Sequence, residues 1–139
     1  MSVTLDNPAA VAAPFGDRFS HVARVDLGGD AALLVLSGQV GCDDSGAIVE
    51  PGDITAQSER IFKLIEGILA AHGATFADVV NIRTFMTDLA GDLAGYAAVR
   101  RRYFTGPPPT STTVEVNKLF LPDAVIEVEI TAVTGRPVG

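Results

Sequence analysis

The residues best suited to chemistry lie in the last third of the chain, where Glu127 and Glu129 sit in the run Ile126-Glu127-Val128-Glu129-Ile130. Side chains alternate across a strand, so the two carboxylates share one face and Ile126, Val128 and Ile130 the other. Upstream, Pro107, Pro108 and Pro109 stop the chain after a helix, and the hydroxyl-rich run Thr110-Ser111-Thr112-Thr113 leads into Val114-Glu115-Val116. Ser111 and Thr113 stand two apart, on one strand face, where their hydroxyls can donate hydrogen bonds to a neutral carbonyl or amide. Two carboxylates beside such a strand can build a polar pocket. The plain alternatives are an edge strand facing water, a pairing of Glu127 with Arg83, and ordinary strand hydroxyls.

Other chemistries find less support. The histidines, His21 and His72, lie far apart without ligand spacing, and Cys42 is the single cysteine, so neither a metal centre nor an internal disulfide is expected. No cofactor is implied. The net charge of -7 suits a phosphate backbone poorly, so no nucleic-acid partner is expected. Arg100, Arg101 and Arg102 spread over roughly 200° of a helix and read as a solvated face. No apolar run approaches the ~18 residues of a membrane span, and no signal pattern opens the chain. The expected location is the cytosol, with no membrane partner.

The 139 residues suit one domain, and 47% hydrophobic residues can form a core. Aromatics are scarce and Trp is absent, which leaves the packing to aliphatic side chains. Residues 1–17, broken by Pro8, Pro14 and Gly16, read as a loose arm. A strand is expected at 20–27, a hairpin turn at Gly28-Gly29-Asp30, and a central strand over Ala32-Leu33-Leu34-Val35-Leu36-Ser37. Asp53 should cap a helix whose buried face is Ile61, Leu64, Ile65 and Ile68, with Gly73 as its left-handed end and His72 as a capping or surface residue. Val79 to Met86 alternates as a strand, with Val79 and Phe85 assigned to its polar face. A second helix is expected from Asp92 to Phe104 with Leu93, Tyr96, Val99 or Arg100, and Tyr103 inward, then strands at 112–118 and 124–133. Two helices should cover one face of a single sheet. The other face should carry Asn81 and Arg83, then Thr113, Glu115 and Asn117, then Glu127, Glu129 and Thr131. High mean hydropathy favours partial cover of that face by other copies of the chain.

Several short motifs follow one another along the chain: Ser37-Gly38-Gln39-Val40, Gly52-Asp53-Ile54, Gly73-Ala74, Asp78-Val79-Val80, Thr87-Asp88, Tyr103-Phe104, Val114-Glu115-Val116 and Glu127-Val128-Glu129. In this order and spacing the chain resembles the Rid family, also called YjgF-like, named for reactive-intermediate imine and enamine deaminases. The resemblance spans residues 18–139 as one domain. It implies an α+β fold of the bacillary chorismate-mutase type, with one mixed β-sheet and two helices packed on one face. It also implies a homotrimer whose sheets form an inner barrel, with small-molecule ligand sites in the clefts between subunits. Arg83, Glu115 and Glu129 would form ion pairs lining that barrel.

Carried over position by position, the resemblance assigns Glu127 to hold the attacking water and keeps Ser37 and Gly38 at the end of the central strand. The deaminating members grip a 2-imino-acid carboxylate with an arginine just before Val-Glu-Val; here that position is Ser111. A hydroxyl cannot replace a planar, permanently charged fork, which argues against 2-imino acids as substrates. Thr113 replaces a cysteine, Ala97 an asparagine, and Phe19 a tyrosine. Two readings follow. In one, the chain hydrolyses an imine, enamine or related compound, with Glu127 catalytic and Phe19, Ser37, Gly38, Ser111 and Thr113 binding the substrate. In the other it is a trimeric small-ligand-binding or accessory protein without turnover. Endoribonuclease activity is also associated with the family, and the acidic charge argues against it.

Overall fold

The computed structural model describes residues 2–135. Nine strands' and helices' worth of chain run as β1 (Val3–Asp6), β2 (Val22–Gly28), β3 (Ala31–Leu36), β4 (Gln39–Val40), α1 (Ile54–Ala71), β5 (Val79–Met86), α2 (Leu89–Tyr103), β6 (Thr110–Glu115) and β7 (Ile126–Thr134). One sheet has the order β1-β2-β3-β7-β5-β6, and β4 pairs with β7. Only β5 and β6 are parallel, and a parallel pair needs a crossover, which α2 supplies. The architecture is α+β, with two helices against a mixed sheet.

Local chemistry accounts for much of this. At the β2–β3 turn Gly28 and Gly29 take positive φ (101° and 56°), the conformation a tight hairpin needs and L-residues resist. The Asp53 carboxylate accepts the Ala56 N–H and caps α1. At its far end Gly73 (φ 72°) lets the Ala74 N–H reach the Leu69 carbonyl and its own N–H reach Ala70, closing the helix as a Schellman motif. Ile61, Ile65, Ile68 and Leu69 are fully buried and meet Leu34, Ile82, Ile126 and Ile130 of the sheet within one core. Burial of this kind stabilises by about 25 cal/mol per Å² of apolar surface.

Several expectations are corrected. Residues 1–17 are not uniformly loose, because Val3–Asp6 pairs with β2 as an edge strand. His72 is the C-cap of α1 as one of its two readings had it, but its ring is not free at the surface: it bonds Asp6 of that strand at 2.8 Å. The scarce aromatics are concentrated rather than marginal: Phe62, Phe76, Tyr103 and Phe104 form one ring cluster, with Phe62 and Tyr103 stacked at 5.0 Å. Helix α2 starts at Leu89, capped by Asp88, and Leu93 is 44% exposed while Tyr96 and Val99 are buried. The Glu115 carboxylate does not line the open face; it accepts the Leu89 N–H at 2.9 Å and completes the α2 cap. Val79 enters the core because the β5–β7 register shifts between Val79 and Asn81, which changes the parity of the strand at its start.

The β6 strand runs 110–115 rather than 112–118, and its register decides its faces. Ser111 pairs with Ile82, Thr113 with Thr84 and Glu115 with Met86. Those three β5 residues are fully buried under the helices. Ser111, Thr113 and Glu115 therefore stand on the helix side, and Thr110, Thr112 and Val114 share the open face with Arg83 and Phe85. On that face Arg83 Nη1 donates to Glu129 Oε1 at 3.4 Å, the one barrel-face ion pair of the expected set that forms within the chain.

Candidate functional site

Glu127 stands on β7 between Val40 of β4 and Phe85 of β5. The β3 strand ends at Leu36 and β4 starts at Gln39, so Ser37 and Gly38 form a break in the sheet beside Glu127. The carboxylate occupies the space a side chain at residue 38 would need: a Cβ there would meet the Glu127 carboxyl carbon at 2.9 Å. Arg83 is engaged with Glu129, so the alternative Glu127–Arg83 pair does not form. Among the described residues no hydrogen bond or ion pair reaches the Glu127 carboxylate. Burial, and then the neighbouring Glu129 charge, push its pKa above the ordinary 4.5.

A cleft of about 950 Å³ opens from Glu127, within the range of small-molecule sites. Ser37, Gly38, Phe19, His21 and Phe120 help line it. Phe19 is 44% exposed and Phe120 83% exposed, so both present apolar surface to an occupant. Ser37 is held at the break: its N–H donates to the His21 carbonyl and its hydroxyl to the Ser20 carbonyl at 2.6 Å. With its proton engaged, the Ser37 hydroxyl can accept from a ligand but not donate to it.

His21 has a structural task that its strand-like context hid. The ring is buried, with Nε2 at 2.7 Å from the Ala12 carbonyl and Nδ1 at 3.2 Å from the Gln39 amide nitrogen. A carbonyl only accepts, so Nε2 carries the hydrogen; the Gln39 amide donates, so Nδ1 is the acceptor. This neutral tautomer ties residues 11–16, one wall of the cleft, to the sheet. Cys42 also lines the cleft, and burial raises its thiol pKa, which makes it a poor nucleophile.

Ser111 and Thr113 are not brought to this cleft within one chain. They stand on the other sheet face, two strands from Glu127 and displaced along the sheet by three residues for Ser111 and one for Thr113, which at standard strand spacings is about 14 Å and about 10 Å. The Ser111 hydroxyl accepts from Arg100 Nη1 at 3.1 Å. The arginine run thus has three environments: Arg100 is half-buried against Ser111, Arg101 is exposed, and Arg102 pairs with Glu59. The sequence pattern offers Arg100 only as an alternative to Val99 on the inner face, and Val99 is the one buried; the partner of Arg100 lies across the proline-rich turn.

Among the described residues no group of three or more His, Cys, Asp or Glu is placed to hold a metal ion, and no helix is long and apolar enough to cross a membrane.

Similarity to known proteins carries the same architecture. Residues 12–134 match the family model described as endoribonuclease L-PSP. The chain is 41% identical over 101 residues to protein DfrA of Myxococcus xanthus, covering 73% of this chain and 74% of that one. It is 33% identical over 100 residues to a RutC family protein of Pyrococcus abyssi, covering 72% and 77%. The fold superposes on YyfA of Yersinia pestis, a Rid-family protein of unknown function, with a TM-score of 0.82, 26% identity and 94% and 98% coverage. RidA of an Antarctic Psychrobacter gives 0.76, 28% identity and 93% and 97% coverage. With the model match spanning nearly the whole described chain and the fold shared throughout, the protein belongs to the endoribonuclease L-PSP family, the group that includes the RutC and Rid proteins.

Proposed function

We propose that the chain is a small-molecule hydrolase of imines, enamines or related compounds, acting at clefts between subunits of a homotrimer. The carrying observation is Glu127: a carboxylate without a cation partner among the described residues, its pKa raised by burial, at the wall of a cleft beside a glycine that makes room for it. A buried carboxylate whose pKa is raised is a stronger base than a solvated one and can take a proton from a bound water. In the reaction the carboxylate takes a proton from water as its oxygen bonds to the C=N carbon of a protonated imine. The Glu127 proton then passes to the nitrogen of the resulting carbinolamine; Glu127 takes the hydroxyl proton as the C–N bond breaks, and a carbonyl compound leaves with the amine, to which that proton is returned.

Phe19 forms an apolar wall, and Ser37 with the Gly38 main chain orients the ligand. Ser111 and Thr113, remote from Glu127 in one chain, would complete the cleft of a neighbouring subunit. The substrate does not depend on a guanidinium attached to residue 111. A ligand-binding module without turnover is the second reading. One observation favours it: His21 and Ser37 both have their polar hydrogens committed to backbone carbonyls, so neither can hand a proton to a leaving amine.

The test is hydrolysis of freshly generated imines, one set from amino acids and one from uncharged amines, by wild type and Glu127→Gln. Turnover that is lost in the variant supports the hydrolase. Absence of turnover on both sets leaves the binding module.

A further inference from the structure

The chain has few aromatic residues, seven Phe and two Tyr. Three of them, Phe15, Phe19 and Phe120, are 41%, 44% and 83% exposed, and all three line the cleft that holds Glu127. The others are buried or half-buried. Phe15 and Phe19 come from the segment before β2 and Phe120 from the connection between β6 and β7, so two separate stretches of chain bring ring surface to one place. Phe15 is seated on Gly46, whose missing side chain leaves the volume that the ring occupies. Phe19 meets the His21 ring edge-on at 6.1 Å. Among the described residues the three rings make no ring contact with one another, and the cations that lie over rings are elsewhere, Lys63 on Tyr103 and Arg100 on Phe104.

The polar side chains of the cleft offer acceptors rather than donors. Glu127 has no cation partner among the described residues, and the exposed Asp43 carboxylate lines the same cleft, whereas Asp44 is answered by Arg60. The donors are already engaged. The Ser37 hydroxyl donates to the Ser20 carbonyl, His21 Nε2 to the Ala12 carbonyl, the Gln39 amide to His21 Nδ1 and the Ser37 carbonyl, and the Ser45 hydroxyl to Asp43. Among the described residues Arg18 is the only lysine or arginine lining the cleft, and it is exposed to water. An anion entering here meets few free donors. A neutral apolar ligand would strip water from Glu127 without replacing it. A cation meets a carboxylate and aromatic faces, whose negative quadrupole attracts positive charge.

We propose that this cleft recognises a planar organic cation, with Glu127 answering the charge and Phe19 and Phe120 presenting ring faces to it. Phe120 is the specificity-determining residue. It is the most exposed large hydrophobic side chain of the described residues, and no packing in the core accounts for its place. Resting on the hydrolase reading of the same cleft, the substrate class narrows to iminium ions without a carboxylate beside the C=N carbon, the condensation products of aldehydes or ketones with aliphatic amines. The nitrogen of such imines takes up a proton readily, which supplies the positive charge. A carboxylate on the substrate would cancel that charge and bring a second anion against Glu127.

The experiment is an NMR titration of the full chain with N-methylpyridinium, a planar cation that does not hydrolyse, with its neutral isostere toluene, and with the planar anion benzoate. N-methylpyridinium should bind saturably and more tightly than either. Phe120→Leu keeps an apolar side chain and removes the ring face; it should weaken the cation by about threefold, the scale of one exposed cation–π contact. Glu127→Gln should weaken it by about fivefold or more, the scale of one charge pair in well-hydrated surroundings, and should leave toluene unaffected. The proposal is overturned if the cation does not bind saturably, if toluene or benzoate binds as tightly, or if both variants keep full affinity. A Phe120→Leu variant that changes the oligomeric state by light scattering and leaves cation affinity intact also overturns it, because the ring then serves a contact between copies of the chain. Cation binding that depends on Glu127 and Phe120 in a protein without turnover sinks the hydrolase and keeps this site. Imine turnover that is lost in Glu127→Gln, with no preference for the cation, sinks this inference and keeps the hydrolase.

Discussion

The Glu127 carboxylate occupies the volume that a side chain at Gly38 would fill, with 2.9 Å between a Cβ at residue 38 and the carboxyl carbon and 3.0 Å to Glu127 Cγ. The glycine is required by close approach, since its φ is not in the left-handed region. A side-chain end can swing aside where backbone could not, so Gly38→Ala should fold and displace the carboxylate. It should cost about 1 kcal/mol, at the low end of overpacking. In a Glu127→Ala background the same change should cost almost nothing. A double-mutant cycle by denaturant titration checks this; additive costs would mean that the two residues do not compete for space.

The raised pKa of Glu127 predicts a pH-dependent effect of its removal. Burial makes the folded state hold the proton more tightly than the unfolded chain does. The favourable contribution of the protonated group is therefore complete below the unfolded value of 4.5 and is lost as pH rises through the higher folded value. Glu127→Gln keeps the shape and removes the charge. It should raise Tm relative to wild type at neutral pH, and the gain should shrink toward zero below about pH 4 as wild type becomes protonated. A gain independent of pH would separate the stabilisation from ionisation.

What could be read from the sequence was local. The Asp53 cap, the Gly73 stop, the Gly28–Gly29 turn and the 79–86 strand each depend on residues within a turn or two of one another. What was missed depends on partners distant in sequence. The α2 start expected at Asp92 is three residues late: Asp88 caps the helix at Leu89, and an added acceptor for the Leu89 N–H, Glu115, comes from 26 residues downstream. The face of Ser111 depends on its register with Ile82, not on its distance from the prolines. At the candidate site, Glu127, Ser37, Gly38 and Phe19 meet in one cleft. Arg100, the group that answers Ser111, reads in the sequence as part of a charged helix face or as an alternative to Val99 on the inner one.

Arginine at position 111 should now conflict with the arginine already there. Ser111→Arg would place a second guanidinium beside Arg100, replacing an acceptor at 3.1 Å with a like charge. The single variant should lose about 0.5–1 kcal/mol, as like charges at a partly exposed site do, and adding Arg100→Gln should restore that loss. The double variant, with one guanidinium carried by the strand, is the form expected to act on 2-iminopropionate if the cleft is otherwise intact. Thermal melts and hydrolysis assays on the three variants check both halves. Equal stability of Ser111→Arg and wild type would show that the two side chains avoid each other.

The first strand should depend on one contact made far from it in sequence. His72 Nε2 lies 2.8 Å from Asp6 Oδ2, and Arg24 Nη1 lies 3.4 Å from His72 Nδ1 and 3.3 Å from the His72 carbonyl. The arginine can only donate, so Nδ1 is the acceptor and Nε2–H donates to Asp6. The His72 side chain is 9% exposed against 40% for Asp6, so the contact is shielded on the histidine side. Elsewhere β1 is a short edge strand whose Val3 and Leu5 are 63% and 68% exposed, which leaves little apolar burial to hold it. His72→Ala should therefore free β1 from β2 at a cost of about 1.5 kcal/mol, the low end for a hydrogen bond to a charged partner. Amide exchange should speed up in residues 3–6 and their β2 partners while the protection of β5 and β7 is unchanged. Exchange that rises uniformly across the sheet would mean that His72 supports the whole fold rather than this strand.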